Sequence, residues 1–131
     1  MIVIDTHVMI WRALSPKDIT AKARKVIQQA HDDQSILVSE ISFWEIAMLI
    51  KERRLKIEAD ALTFIKLLCR ANTYHFSGIT PEIAHVSVNL PDDINKDPAD
   101  RLICATAIVS HATLITADKN LRASKAIKTI W

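Results

Sequence analysis

Four carboxylates far apart in the chain stand where acidic chemistry could be done. Asp5 directly follows the apolar run "IVI" at 2–4, and Glu45 ends "SFWE" at 42–45. Asp100 lies in "KDPADRLIC" at 96–104, and Asp118 ends "LITAD" at 114–118. Two unit charges about 4 Å apart repel by roughly 4 kcal/mol at an effective dielectric near 20. Four converging anions therefore need shared protons or a divalent cation. No Cys or His joins the set at a ligand spacing, so all-oxygen ligation selects Mg²⁺ or Mn²⁺ over zinc. Such an ion acidifies bound water and steadies charge on a phosphoryl oxygen, which makes a phosphodiester the natural substrate.

Each acid also has a plain structural use. Asp97 precedes Pro98 and reads as a helix N-cap with proline at N1. Asp100 is then N3, where the helix dipole favours an anion by roughly 0.3–1 kcal/mol. Yet Asp100 heads the stripe Ile103, Cys104, Ala107, Ile108 and so leans inward. The expectation is that Asp97 caps and Asp100 works. Glu45 fits a capping box with Ser42, although Ser39 is an equally good cap. It shares its face with Ile41, Met48 and Leu49, where a carboxylate without a partner is costly. Asp5 alone suits a strand end, and Asp118 alone suits a helix cap.

The elements explain how these residues would meet. "IVI" at 2–4 reads as a buried strand, followed by a helix near 7–13 and a turn at "SPKD". Thr20 caps a helix over 21–32, with Ala23, Val26, Ile27 and Ala30 at helical spacing. "SILV" at 35–38 is a second strand, and a helix spans about 40–54. Asp60 caps a helix over 61–71, and "YHFSGIT" at 74–80 is a third strand. Thr80 and Pro81 open a helix to about 89. After the loop "LPDDINKDP" come a helix over 98–111, a strand at 113–116 and a helical turn near 119–123. "AIKTIW" supplies a fifth strand. Strands alternating with helices predict an α/β fold, a mostly parallel sheet covered on both faces. Strand C-termini and helix N-termini then share one edge of the sheet, where ligands bind. All the acids above belong to that edge.

Composition narrows the alternatives. The chain of 131 residues is most simply a single domain, 1–131. The single glycine, Gly78, excludes GxGxxG and GxxxxGK[ST] phosphate cradles. Cys69 and Cys104 have no CxxC spacing and read as thiols of a reducing compartment. The N-terminal stretch lacks a basic region and is broken by Asp5 and His7, so neither a signal peptide nor a membrane span is expected, and the location is cytoplasmic. His7, His75 and His111 offer no metal spacing and read as structural or surface residues. Removing the four candidate acids from 15 leaves 11 against 17 Lys and Arg, so the rest of the chain is about +6. Lys51, Arg53, Arg54 and Lys56 either follow a nucleic-acid backbone or close a helix C-terminus.

Five segments in register resemble the PIN-domain ribonucleases, in particular VapC-type toxins of toxin–antitoxin pairs. They are "IDTHVMIW" at 4–11, "VSEISFWEIA" at 38–47, "DPADRLICATA" at 97–107, "LITAD" at 114–118 and the terminal Trp131. The resemblance implies a three-layer α/β/α sandwich and magnesium- or manganese-dependent cleavage of RNA. It maps the family's acidic set onto Asp5, Glu45, Asp100 and Asp118, with Thr6 and Thr116 as supporting hydroxyls. Asp5, Asp100 and Asp118 are the expected metal ligands, and Glu45 orients or deprotonates water. It also implies a homodimer and a small cognate antitoxin as partner. Two departures stand out: Ala99 replaces an aromatic residue common in this motif, and Asn95-Lys96 stand where His-Arg is frequent. Two other readings remain open. A magnesium-binding phosphoacceptor domain would also gather acids here and would want a lysine nearby, for which Lys119 is the candidate. A catalytically silent interaction module is the third.

Overall fold

In the computed structural model, which describes residues 1–131, five strands form one parallel sheet in the order β3-β2-β1-β4-β5. The elements in chain order are β1 (Ile2–Ile4), α1 (Thr6–Leu14), α2 (Ala21–Asp32), β2 (Ile36–Ser39), α3 (Ile41–Lys51), α4 (Ala61–Ala71) and β3 (Tyr74–Ser77). They continue with α5 (Pro81–Val88), α6 (Pro98–Val109), β4 (Thr113–Ile115), α7 (Lys119–Ala123) and β5 (Thr129–Ile130); a 3₁₀ turn at Pro16–Asp18 joins α1 to α2. The expected α/β class and three layers are present, with every strand pairing parallel.

Side-chain alternation along the strands builds two cores. Ile2, Ile4, Ile36, Val38 and Ile115 face one side, against Val8 and Met9 of α1, Ile27 of α2, Ile46 of α3, and Phe64 and Leu68 of α4. Val3, Leu37 and Leu114 face the other, against Ile103 and Cys104 of α6 and Leu121 of α7. This period of two is the strand pleat. Chain order runs β1, β2, β3 to one side and then β4, β5 to the other. The strand order therefore reverses beside β1, creating a crevice at the carboxyl ends of β1 and β4.

Several boundaries differ from the sequence reading. The third strand ends at Ser77 because its partner β2 ends at Ser39 in register with it. The fifth strand keeps only Thr129 and Ile130; Ile127 is instead buried in the second core. The third helix stops at Lys51, short of 54, where Arg53 adopts φ 58° and Arg54 N–H returns to Leu49 O at 2.9 Å. That left-handed closure satisfies a free carbonyl. Neither Ser42 nor Ser39 caps this helix. Ser39 completes β2, Glu40 takes the N-cap position without a side-chain bond, and Ser42 lies inside the first turn. No helix is long and apolar enough to cross a membrane.

Candidate active site

The site begins where β1 runs out. Ile4 pairs with Ile115, and Asp5 N–H donates to Ile115 O at 3.0 Å. Continuing that register sets Asp5 opposite Thr116, whose hydroxyl donates to Asp5 Oδ2 at 2.6 Å. By strand parity both face the side of Val3 and Leu114, where α6 lies. Asp5 holds the N-cap position of α1, yet its side chain caps nothing. Its carboxylate is directed across the sheet instead. It is 7 % exposed, and burial raises its pKa above the ordinary value although the Thr116 hydroxyl and His7 pull it down.

Glu45 arrives from α3. Thr6, the first residue of α1, is fully buried and donates its hydroxyl to Glu45 Oε1 at 2.5 Å. Ser42 lies 2.8 Å from the same Thr6 oxygen. Since Thr6 gives its one proton to Glu45, Ser42 donates to Thr6. A relay Ser42–Thr6–Glu45 thus fixes one carboxylate oxygen and leaves Oε2 without a protein donor. Burial, and then the neighbouring Asp5, Asp100 and Asp97, push the Glu45 pKa up to about 7.

The remaining acids come from helix N-termini. Asp97 Oδ1 accepts from Asp100 N–H at 3.0 Å and so caps α6 as expected. Asp100 is half-buried, and Asn95 Nδ2 donates to its Oδ2 at 3.0 Å. Its pKa rises to about 6 through burial, followed by the charges of Asp97, Asp5 and Asp118. Asp118 caps α7 by accepting from Leu121 N–H at 3.1 Å, while its own N–H donates to Thr116 Oγ1 at 3.1 Å. Thr116 therefore ties Asp5 to Asp118. Below them the Cys104 thiol is pushed up to about 12 by burial and by Asp100, Asp5 and Asp118.

These side chains line one cleft of about 330 Å³, which contains Asp5, Glu45, Asp97, Asp100 and Asp118 together with His7, Trp11, Leu49, Arg54 and Ala117. Ligand oxygens of Glu45, Asp97 and Asp100 all come within 4.8 Å of one another. This tight trio is not the set named from sequence. It includes Asp97, read there as a cap with any part in the site left open, and it lacks Asp5 and Asp118, which line the same cleft. Only Oδ1 of Asp97 serves the helix cap.

Other contributors escaped the sequence reading. Ser42 supports Thr6 rather than capping, His7 is a surface residue as expected but also a wall of the cleft, and Asn95 holds Asp100. The position of Asp97 three residues before Asp100, on the same helix end, was the available signal that the two carboxylates lie close together. Asn95 was marked only as a departure from the family motif, and nothing local showed its hydrogen bond to Asp100. The cleft excludes thiol and imidazole from its oxygen trio. A donor set of carboxylates alone suits a hard divalent cation.

Comparison with known proteins identifies the family and the fold. The PIN domain family model matches residues 2–126. The chain is 33% identical over 132 residues to ribonuclease VapC22 of Mycobacterium tuberculosis, covering 99% of this chain and 98% of that protein. Its fold is similar to VapBC2 from Rickettsia felis, solved bound to a DNA fragment from its promoter, with TM-score 0.72, 15% identity and coverage of 99% and 98%. A toxin–antitoxin complex from Klebsiella pneumoniae is similar at TM-score 0.65 and 21% identity, covering 100% of this chain and 97% of that one.

Proposed function

The chain belongs to the PIN-domain ribonuclease family, in its VapC branch, and from that membership we propose that it is a divalent-metal-dependent endoribonuclease, the toxin of a toxin–antitoxin pair. The observation that carries this reading is the cleft lined by five carboxylates, three of them with oxygens within 4.8 Å of one another. Asp5, Asp100 and Asp118, with Glu45 and Asp97, are the residues that would hold Mg²⁺ or Mn²⁺. When bound, the cation supplies Lewis-acid stabilisation of phosphoryl charge and a more acidic water.

The chain's own groups divide the remaining work. Thr116 holds the buried Asp5 carboxylate and links it to Asp118. Thr6 holds Glu45 Oε1, so Oε2 is the atom that takes a proton from the attacking water. In the cation-free cleft its pKa is pushed up to about 7, and a bound cation would lower it and favour the deprotonated form that accepts the proton. Arg54, at the cleft wall, offers a guanidinium to the substrate phosphate. Water adds in line at phosphorus and the bond to the leaving ribose oxygen breaks, which leaves one phosphomonoester and one hydroxyl end.

Lys119 weakens the phosphoacceptor alternative. It does not line the acidic cleft but a separate concavity beside β5. Two protein partners belong to the same proposal: a small antitoxin that covers the cleft and a second copy of the chain. Trp44, Leu67 and Ile79, each more than half exposed, supply apolar surface for such contacts.

Purified, partner-free protein should cut single-stranded RNA in Mg²⁺ or Mn²⁺ and stop on EDTA addition. Asp5→Asn should keep the fold and lose at least about 10²-fold in rate, the scale of one electrostatic stabiliser. Cleavage that survives EDTA, or an Asp5→Asn protein as active as the unchanged one, contradicts the proposal. A folded protein that cuts no RNA leaves the silent module as the reading.

A further inference from the structure

Beyond the acidic cleft lies a second concavity of about 520 Å³, lined by Lys22 of α2, Lys119 and Arg122 of α7, Thr129 of β5 and Trp131. No acid lines it. All three cations are exposed, and none takes part in the two salt bridges of the molecule, Arg54–Glu52 and Lys96–Asp92. Three unpaired cations facing one hollow repel each other and favour an anion there.

The hollow adjoins the acidic cleft. Asp118 lines one and Lys119 the other, and consecutive Cα atoms are only about 3.8 Å apart. The wall between them is aromatic. Trp131 in the basic hollow stands 5.7 Å, centroid to centroid, from Trp11 in the acidic cleft, and Trp11 stands 5.8 Å from His7. The rings are tilted by 47° and 52° rather than closed face to face, and both indoles pack against the core yet stay partly exposed.

We propose that Lys22, Lys119, Arg122 and Trp131 form a binding site for the single-stranded RNA that flanks the scissile phosphate, joined to the acidic cleft by the row His7–Trp11–Trp131. Resting on the ribonuclease reading, this assigns the path of the substrate next to its cut. The chemistry requires such a neighbour. A polyanion approaching five carboxylates is repelled everywhere except at the cation, and adjacent positive charge offsets that repulsion. Phosphates engage the two lysines and the arginine, and unpaired bases lie on the indoles, the combination that recognises single strands. A duplex keeps its bases inside and gains nothing from the rings. An acidic peptide would use the cations but not the aromatic row.

The test is fluorescence anisotropy of a labelled single-stranded oligoribonucleotide of about 12 nucleotides. All proteins carry Asp5→Asn so that the probe survives. Lys22→Ala/Lys119→Ala/Arg122→Ala should weaken binding at least about tenfold and lower the slope of log affinity against log salt by about 2, near 0.7 per phosphate lost. Trp131→Ala should weaken binding at least about fivefold with the slope unchanged. A control of equal charge, Lys17→Ala/Lys25→Ala/Lys66→Ala, should change little. Equal effects of the two triples, or none from the first, overturn the proposal. A first triple that binds RNA normally but changes sedimentation assigns the hollow to a protein contact and overturns it too. The ribonuclease reading fails separately: unchanged protein that cuts no RNA, yet loses binding with the first triple, refutes cleavage while the RNA site stands.

Discussion

Thr116 is fully buried and gives its only proton to the most deeply buried acid of the cleft. A hydrogen bond to a charged group is worth about 1.5–3 kcal/mol, and one pKa unit corresponds to about 1.36 kcal/mol. Burial already holds the Asp5 pKa above its ordinary value, and Thr116 is the strongest opposing influence. Thr116→Val should therefore raise it further. Glu45 and Asp100, near 7 and near 6, also hold their protons more tightly than free carboxylates. The cation-binding forms are deprotonated, so at sub-saturating Mg²⁺ activity falls as pH drops through 7 to 6 and protons compete with the cation. Thr116→Val should displace that acidic limb upward, read from a pH–rate profile at a fixed, sub-saturating Mg²⁺ concentration. An unmoved limb would mean that Asp5 does not govern it. Of this residue layer, Asp5, Glu45, Asp100 and Asp118 were legible as residues of one sheet edge because each stands at a strand end or an early helical turn, whereas Thr6 and Thr116 were named through the family resemblance. Ser42 and Asn95 were not, since their roles exist only through hydrogen bonds to residues 36 and 5 positions away.

At the level of elements, α6 carries the cleft on its first turn. Asp97 spends one oxygen on Asp100 N–H and presents the carboxylate to Glu45 and Asp100. Serine caps as well as aspartate, whereas alanine costs about 1 kcal/mol. Asp97→Ser should thus melt within a few tenths of a kcal/mol of the unchanged protein, and Asp97→Ala about 1 kcal/mol lower. Both should bind Mn²⁺ at least about fivefold more weakly. Thermal melts and metal titrations separate the two jobs; full metal affinity in Asp97→Ser would make Asp97 a cap alone. Element order was legible from apolar runs and from the caps at Thr20, Asp60, Thr80 and Asp97, all of which accept the expected N–H. Helix ends were less so. With one glycine in the chain, Gln34, Arg53 and His111 take φ between 51° and 58° after α2, α3 and α6. The left-handed region is open to glycine but costs other residues roughly 1–2 kcal/mol, so the usual stop signal is missing. The end of α3 was overrun for this reason, and with it the turn that brings Arg54 to the acidic cleft.

Across the whole molecule, charge is sorted rather than balanced. The net charge is +2, yet one cleft holds five carboxylates and its neighbour three cations. The exposed apolar side chains Trp44, Leu67 and Ile79 belong to another part of the surface than either cleft. If they serve self-association, sedimentation should give twice the 14.8 kDa chain mass, and Leu67→Glu should lower it toward one chain. A monomer in the unchanged protein at micromolar concentration would contradict the homodimer. The most direct test of the central claim is calorimetric titration of Mn²⁺ into the protein at pH 8 and at pH 6. Saturable binding is expected at pH 8, weaker at pH 6 as Glu45 and Asp100 take up protons, and at least about tenfold weaker in Glu45→Gln and Asp100→Asn. Equal affinity in those variants, or no saturable binding at pH 8 in the unchanged protein, would contradict a cleft built to hold a divalent cation.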